Sequence, residues 1–95
     1  MYKIMKNIFT QDDNDILYRA FDWQNWLSDG ETILTAEVTC NDDDIIIDEM
    51  TIDGSLVKYR IKGGMAGKTY IISCKVDTSA GETIERSINL VVGKL

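Results

Sequence analysis

Beyond residue 30 the chain alternates apolar and polar residues with a period of two, the repeat of an extended strand that buries one face. Over residues 31–40, Leu34, Ala36, Val38 and Cys40 fall on one side and Thr35, Glu37 and Thr39 on the other. Over residues 56–62, Val57, Tyr59 and Ile61 oppose Lys58 and Arg60. Residues 69–78 carry the cleanest pattern, with Tyr70, Ile72, Cys74 and Val76 against Ser73, Lys75 and Asp77. Residues 83–92 turn Ile84, Ile88, Leu90 and Val92 inward, and the same alternation turns Arg86 inward with them. Residues 45–52 are apolar early and acidic in the middle, so their facing stays open. Two earlier segments, residues 3–10 and 16–21, also read as extended, separated by a loop at residues 11–15 that offers no apolar face.

Between these segments lie turn signals. Residues 41–44, Asn41-Asp42-Asp43-Asp44, form a polar turn, and Asp53-Gly54 is a strong hairpin signal. Residues 63–67 are a glycine-rich crossing loop, and residues 79–82 are a tight turn containing Gly81 and Glu82. Residues 22–30 break the period. Asp22 can cap the amides of a short helical turn. Trp23 and Trp26, three apart, share one side of it, and Gly30 can end it.

About seven short strands with regular turns predict an all-β fold: an antiparallel sandwich of the immunoglobulin or fibronectin III type, with one short helical turn near residues 22–29. A small barrel is the alternative. The length of 95 residues predicts a single domain over residues 1–95. Tyr70 opens a strand after a glycine-rich crossing loop, the place of the tyrosine-corner residue in such sandwiches. Cys40 and Cys74 fall on strands expected to be B and F, where antibody domains place their disulfide. Cys40, at the end of its strand, is expected to lie too far from Cys74 for a bond.

Charge then narrows the function. Sixteen acidic and ten basic residues give a net charge of -6, which repels phosphate backbones and disfavours nucleic acid and anionic membranes as partners. No apolar run approaches the ~20 residues of a membrane helix. The first ten residues lack the continuous apolar stretch of a signal peptide, so the chain is expected to be made in the cytoplasm, with both thiols reduced. Without histidine, a zinc site would need thiols and carboxylates at unsuitable spacings. The acidic loops, Asp12, Asp13 and Asp15 with Asp42, Asp43 and Asp44, lack the spacing of a calcium loop and read as solvated turns. No nucleophile elbow, phosphate loop or Cys/His pair is present. The expectation is a binding or assembly part with no catalytic residue, cofactor or metal.

Two stretches carry a resemblance. Asp22-Trp23-Gln24-Asn25-Trp26-Leu27-Ser28-Asp29-Gly30-Glu31-Thr32-Ile33 is similar to the Asp-Trp-x-x-Trp-Leu-x-x-Gly-(Asp/Glu)-Thr-Ile opening of a family of small tailed-phage and prophage proteins, usually labelled phage fiber-tail adaptors. Gly63-Gly64-Met65-Ala66-Gly67-Lys68-Thr69-Tyr70, with Thr78 to Ser87, resembles the closing half of that family. The chain departs at Glu82, where the family pattern often has Arg or Lys. The resemblance implies a virion structural part without enzymatic activity. Its partners would be other virion proteins, with several copies assembled by particle symmetry.

Trp23 and Trp26 are candidates for an interface, as are Gly81 and Glu82 in the tight turn. The plainer reading makes the two indoles a plug over one open end of the sandwich. Asp22, Tyr70 and Arg86 are candidates for structural roles. Arg86 is expected either at a rim, with its stem packed and its head in water, or in an ion pair with Asp22. Besides a tail or fiber-attachment adaptor, a capsid decoration or head-tail joining protein fits the same features. A carbohydrate-binding accessory domain is a further alternative. It needs exposed aromatic residues, yet Tyr59 and Tyr70 fall on inward faces and the facing of Tyr18 is open.

Overall fold

Residues 8–95 are described by a computed structural model; residues 3–7 of the expected first strand lie outside the described residues. Seven strands follow one another: β1 (Ile8–Asp12), β2 (Ile16–Asp22), β3 (Ile33–Cys40), β4 (Ile45–Asp53), β5 (Leu56–Gly63), β6 (Thr69–Thr78) and β7 (Thr83–Gly93). They form a four-stranded sheet, β1-β7-β6-β3, and a three-stranded sheet, β2-β5-β4. The strands β2 to β7 thus take the places of B to G in an immunoglobulin-like sandwich, with B-E-D facing C-F-G. The first strand is carried over to the β7 edge, where it pairs in parallel, so the fold is antiparallel everywhere except at that pair.

The dry layer between the sheets follows the period of two. Val57, Tyr59 and Ile61 of β5 meet Tyr70, Ile72, Cys74 and Val76 of β6 and Ile88, Leu90 and Val92 of β7, all buried. Phe21, Trp23, Ile33 and Ile45 complete it.

Four placements differ from the alternation. Leu34 is 61% exposed, because the β3–β6 register shifts between Ile33 and Thr35. The bulge lets Ile33 and Ala36 both face inward and expels the residue after Ile33. Gln11 belongs to β1 rather than to a loop and is fully buried, since pairing with Val92 carries the strand on to Asp12. The helical piece is a single 3-10 turn, Gln24–Trp26, much shorter than residues 22–29. Cys40 and Cys74 lie on β3 and β6, neighbours in one sheet in the places of C and F, because residues 33–40 form the third strand and not the second. Cys40 stands opposite Ile72 and Cys74 opposite Val38. Such diagonal neighbours are roughly 7–8 Å apart, beyond the reach of a disulfide, and both thiols are free.

At the end holding the 13–15, 41–44 and 64–68 connections, Tyr70 closes the core. Its hydroxyl accepts from the Met65 amide (2.8 Å), five residues upstream, and donates to Asp44 (2.9 Å), the bonding of a tyrosine corner. Lys68 bridges Asp42 and Asp44 at 2.7 and 3.3 Å. Gly64 lies against the same ring with φ at 93°; a Cβ there would sit 2.9 Å from Val92, 3.0 Å from Ile45 and 3.2 Å from Tyr70. Gly64→Ala is therefore expected to cost about 2–4 kcal/mol through backbone strain and overpacking, read as a lower urea midpoint with an unchanged slope.

The aspartates of this end also set an acid limit. Lys68, then the Asp44 amide, holds the Asp42 carboxyl below the ordinary carboxylate range. The Leu95 amide, then the Asn14 amide, does the same for Asp12. These groups bind protons less readily in the folded chain than in the unfolded one. The stability they contribute is complete above the unfolded carboxylate value of about 3.9 and is lost as pH falls through the lower folded values. Thermal melting is expected to be level from about pH 7 to 5 and to fall steeply below about pH 4, with a shallower fall in Asp42→Asn.

Candidate functional site

The opposite end gathers the connections at residues 23–32, 54–55 and 79–82, which join β2 to β3, β4 to β5 and β6 to β7. Loops at one end of such a sandwich are the usual binding elements, since a rigid frame fixes their bases and leaves their sequence free. Here the three are bonded to one another. The Trp23 amide donates to the Ser55 carbonyl at 2.9 Å. Asp22 Oδ1 accepts from the Gln24 amide (3.0 Å), at the first residue of the 3-10 turn, and from the Ser55 hydroxyl (3.4 Å), so it ties the turn to the hairpin, although the N-cap position itself is Trp23. On the other flank the Ser79 amide donates to the Thr32 carbonyl at 2.8 Å, and the Thr32 amide donates to the Ser79 hydroxyl at 2.9 Å.

Glu31 locks the base of the long connection. Its Oε1 accepts from the Ser28 amide at 2.8 Å. The Thr78 hydroxyl, then the Ser28 amide, holds its carboxyl below the ordinary range. Thr78 also shapes the turn that follows it, with its oxygen accepting from the Ala80 and Glu82 amides at 3.3 Å each. The Gly81 amide donates to the Thr78 carbonyl at 3.0 Å, and Ala80, Gly81 and Glu82 stand in solvent.

The two tryptophans divide the work. Trp23 is fully buried and forms the floor of the loop cluster. Burial pushes the Cys74 thiol up to about 11, against a smaller opposing effect of the neighbouring Trp23 side chain. Trp26 is half-buried and meets Trp23 edge to face, with centroids 6.0 Å apart and planes at 75°, the preferred geometry of aromatic pairs. The Arg86 guanidinium lies 5.8 Å from the Trp26 ring centroid and donates to the Glu85 carbonyl at 2.7 Å. Arg86 is paired with Cys74 in register, on the inward series, yet its head reaches solvent over the indole. It makes no ion pair with Asp22, whose carboxylate is occupied by Gln24 and Ser55.

The structure thus collects Asp22, Trp23, Trp26, Gly81, Glu82 and Arg86 at one end and places Tyr70 at the other. Ser55 and Thr78, which clamp the loops, were not singled out in the sequence. A hydroxyl residue after Asp53-Gly54, and another just before the tight turn, were the available signals. Tyr18 proves to be 67% exposed. Among the described residues no group of three or more Cys, Asp or Glu side chains is placed to hold a metal ion, and no helix is long and apolar enough to cross a membrane.

Residues 11–91 match a family model described as podophage GP4 fiber-tail adaptor protein gp77. The match runs from β1 to β7 and takes in both loop ends. No curated protein matches the chain.

The division between the indoles can be measured. Trp23→Ala is expected to cost about 3–5 kcal/mol, the range for emptying a large aromatic site. Trp26→Ala, at a surface already half open, is expected to cost about 1 kcal/mol. Chemical denaturation of the two variants checks the order; equal costs would place both rings in the core.

Proposed function

The chain belongs to the podophage GP4 fiber-tail adaptor family, and we propose that the loop cluster around Trp26 and Arg86 is the surface by which it docks on another protein of the tail. A fiber-tail adaptor is a structural part of a virion. What supports this end as its docking surface is the half-buried indole with an arginine over its face, held on loops that are bonded to one another. Tryptophan and arginine are the residue types most enriched at the energetic centres of interfaces. A site fixed before binding also loses little conformational freedom when it binds. Gly81 and Glu82 form the rim of this surface, where the exposed Glu82 adds a negative charge.

Copies of the chain would be arranged by the symmetry of the tail. The description of the family supports an adaptor over a capsid decoration protein. Among the described residues the strongly exposed tyrosine is Tyr18, which lies on the outer face of a sheet and not in a cleft that would surround a sugar.

The test is incorporation. Phage carrying Trp26→Ala or Arg86→Glu in this chain are expected to yield particles with roughly ten-fold less of it, the loss of a central contact, and with correspondingly fewer fibers. Purified Arg86→Glu should melt near the parent and Trp26→Ala about 4–8 °C below it, the shift that a cost of about 1 kcal/mol gives in a domain of this size, so both remain folded. Normal incorporation of both variants would exclude this surface, and cryo-microscopy showing the chain on the capsid shell would exclude the adaptor role.

A further inference from the structure

An adaptor holds two partners at once, and the loop cluster supplies a place for one. A second surface lies on the outer face of the β2-β5-β4 sheet. The central strand β5 turns Lys58, Arg60 and Lys62 outward, opposite Val57, Tyr59 and Ile61. Two of the three cations are taken. Lys58 pairs with Asp53 at 2.9 Å, and Arg60 grips both oxygens of Asp48 at 2.8 and 2.9 Å. Lys62 makes no salt bridge with any described residue; Asp48, the carboxylate its charge reaches, is already held by Arg60.

Lys62 does not stand in open polar surroundings. In register it lies between Ile16 of β2 and Ile46 of β4, which are 58% and 51% exposed. With strands ~4.8 Å apart, the two isoleucines flank the lysine at about 5 Å on either side of its strand. The next row is fixed by a strained residue. Glu49 is the only described residue other than glycine with a positive φ, 51°, within a register shift between Asp48 and Thr51. This bulge turns its carboxylate back over the face, where it accepts the Tyr18 hydroxyl at 2.6 Å. Strain of this kind persists where the surroundings enforce it and is concentrated at working surfaces. The outcome is a held, exposed tyrosine beside an apolar–cationic–apolar row.

We propose that this face is a second docking surface and that its occupant is a segment of a different virion protein, carrying a carboxylate between two apolar side chains. The carboxylate sits on Lys62 and the apolar groups on Ile16 and Ile46, with Tyr18 closing one side. Charge complementarity selects this occupant, since an apolar segment alone would bury Lys62 without a partner. A second copy of the chain is a poor fit. A face-to-face two-fold about β5 would bring up carboxylates already held by Lys58, Arg60 and Tyr18, and so give Lys62 no carboxylate of its own. The inference rests on the adaptor reading above.

Photo-crosslinking in assembled particles tests it. p-Benzoylphenylalanine is placed at Tyr18 or Ile46, and in a separate phage at Ala80 in the loop cluster. Adducts from residues 18 and 46 are expected on a peptide with Asp or Glu between apolar residues, distinct from the segment captured by residue 80. Lys62→Glu should lower the yield of the first adduct roughly ten-fold or more and leave the second intact. Changing the mapped carboxylate to lysine should restore it. Ile46→Ser, with its melting temperature unchanged, should show the same loss without a charge change. Three results would overturn the proposal: adducts to another copy of this chain, adducts to a segment lacking a carboxylate, or none from residues 18 and 46 while residue 80 reacts. A chain absent from the particle would instead remove the adaptor reading, and this proposal with it.

Discussion

A two-sheet sandwich is closed along its faces by alternation but open at its ends, and the structure depends on how those ends are sealed. At one end Trp23 fills the gap between the sheets and its amide is tied to Ser55. At the other the Tyr70 ring does so, with its hydroxyl fixed between Met65 and Asp44. The Tyr70 plug is buried with its hydroxyl satisfied, whereas the Trp23 plug is anchored through its backbone amide and buries its indole nitrogen without a hydrogen-bond partner. Remove either and the buried faces of β5, β6 and β7 would be reached by water from that end.

Sealing the end also organises the surface above it. Once Trp23 is the floor, Trp26 is held edge-on against it, and Arg86 has a flat ring over which to extend. The exposed groups of the candidate site are therefore ordered by the core beneath them. The same logic governs the β2-β5-β4 face, where inward packing of Val57, Tyr59 and Ile61 obliges Lys58, Arg60 and Lys62 to point out together. The chain separates its roles by strand parity: one set of β5 positions builds the interior, the other presents charge.

Much of this was legible in the sequence. Residues 56–62, 69–78 and 83–92 alternate strictly, and the structure buries the sides that alternation names, apart from Arg86 at its solvent-reaching rim. What alternation could not show were the places where the repeat slips. Leu34 fits the apolar series of its strand by parity and still faces solvent, because a bulge inserts one residue between Ile33 and Thr35. Glu49 is directed by a second bulge that nothing in Asp48-Glu49-Met50 advertises. Gln11 is polar and follows no apolar period, so only its partner on β7 reveals that it is interior. The grouping of Trp26, Gly81 and Arg86 is likewise a product of strand order, which brings residues more than fifty positions apart to one end. The phage-family resemblance rested on the two motif stretches and is matched over a longer span of the chain.

The placement of the cysteines has a consequence for the conditions the protein can meet. Cys74 is sealed in the interior with its thiol held in the protonated form by burial, and Cys40 is set diagonally from it across β3 and β6. Neither has a cysteine within bonding reach in its own chain, so cohesion here owes nothing to a covalent cross-link. Glutathione inside a cell has no such bond to cleave, and dissolved oxygen outside has none to forge. Within one chain, a change of redox conditions therefore makes or breaks no disulfide.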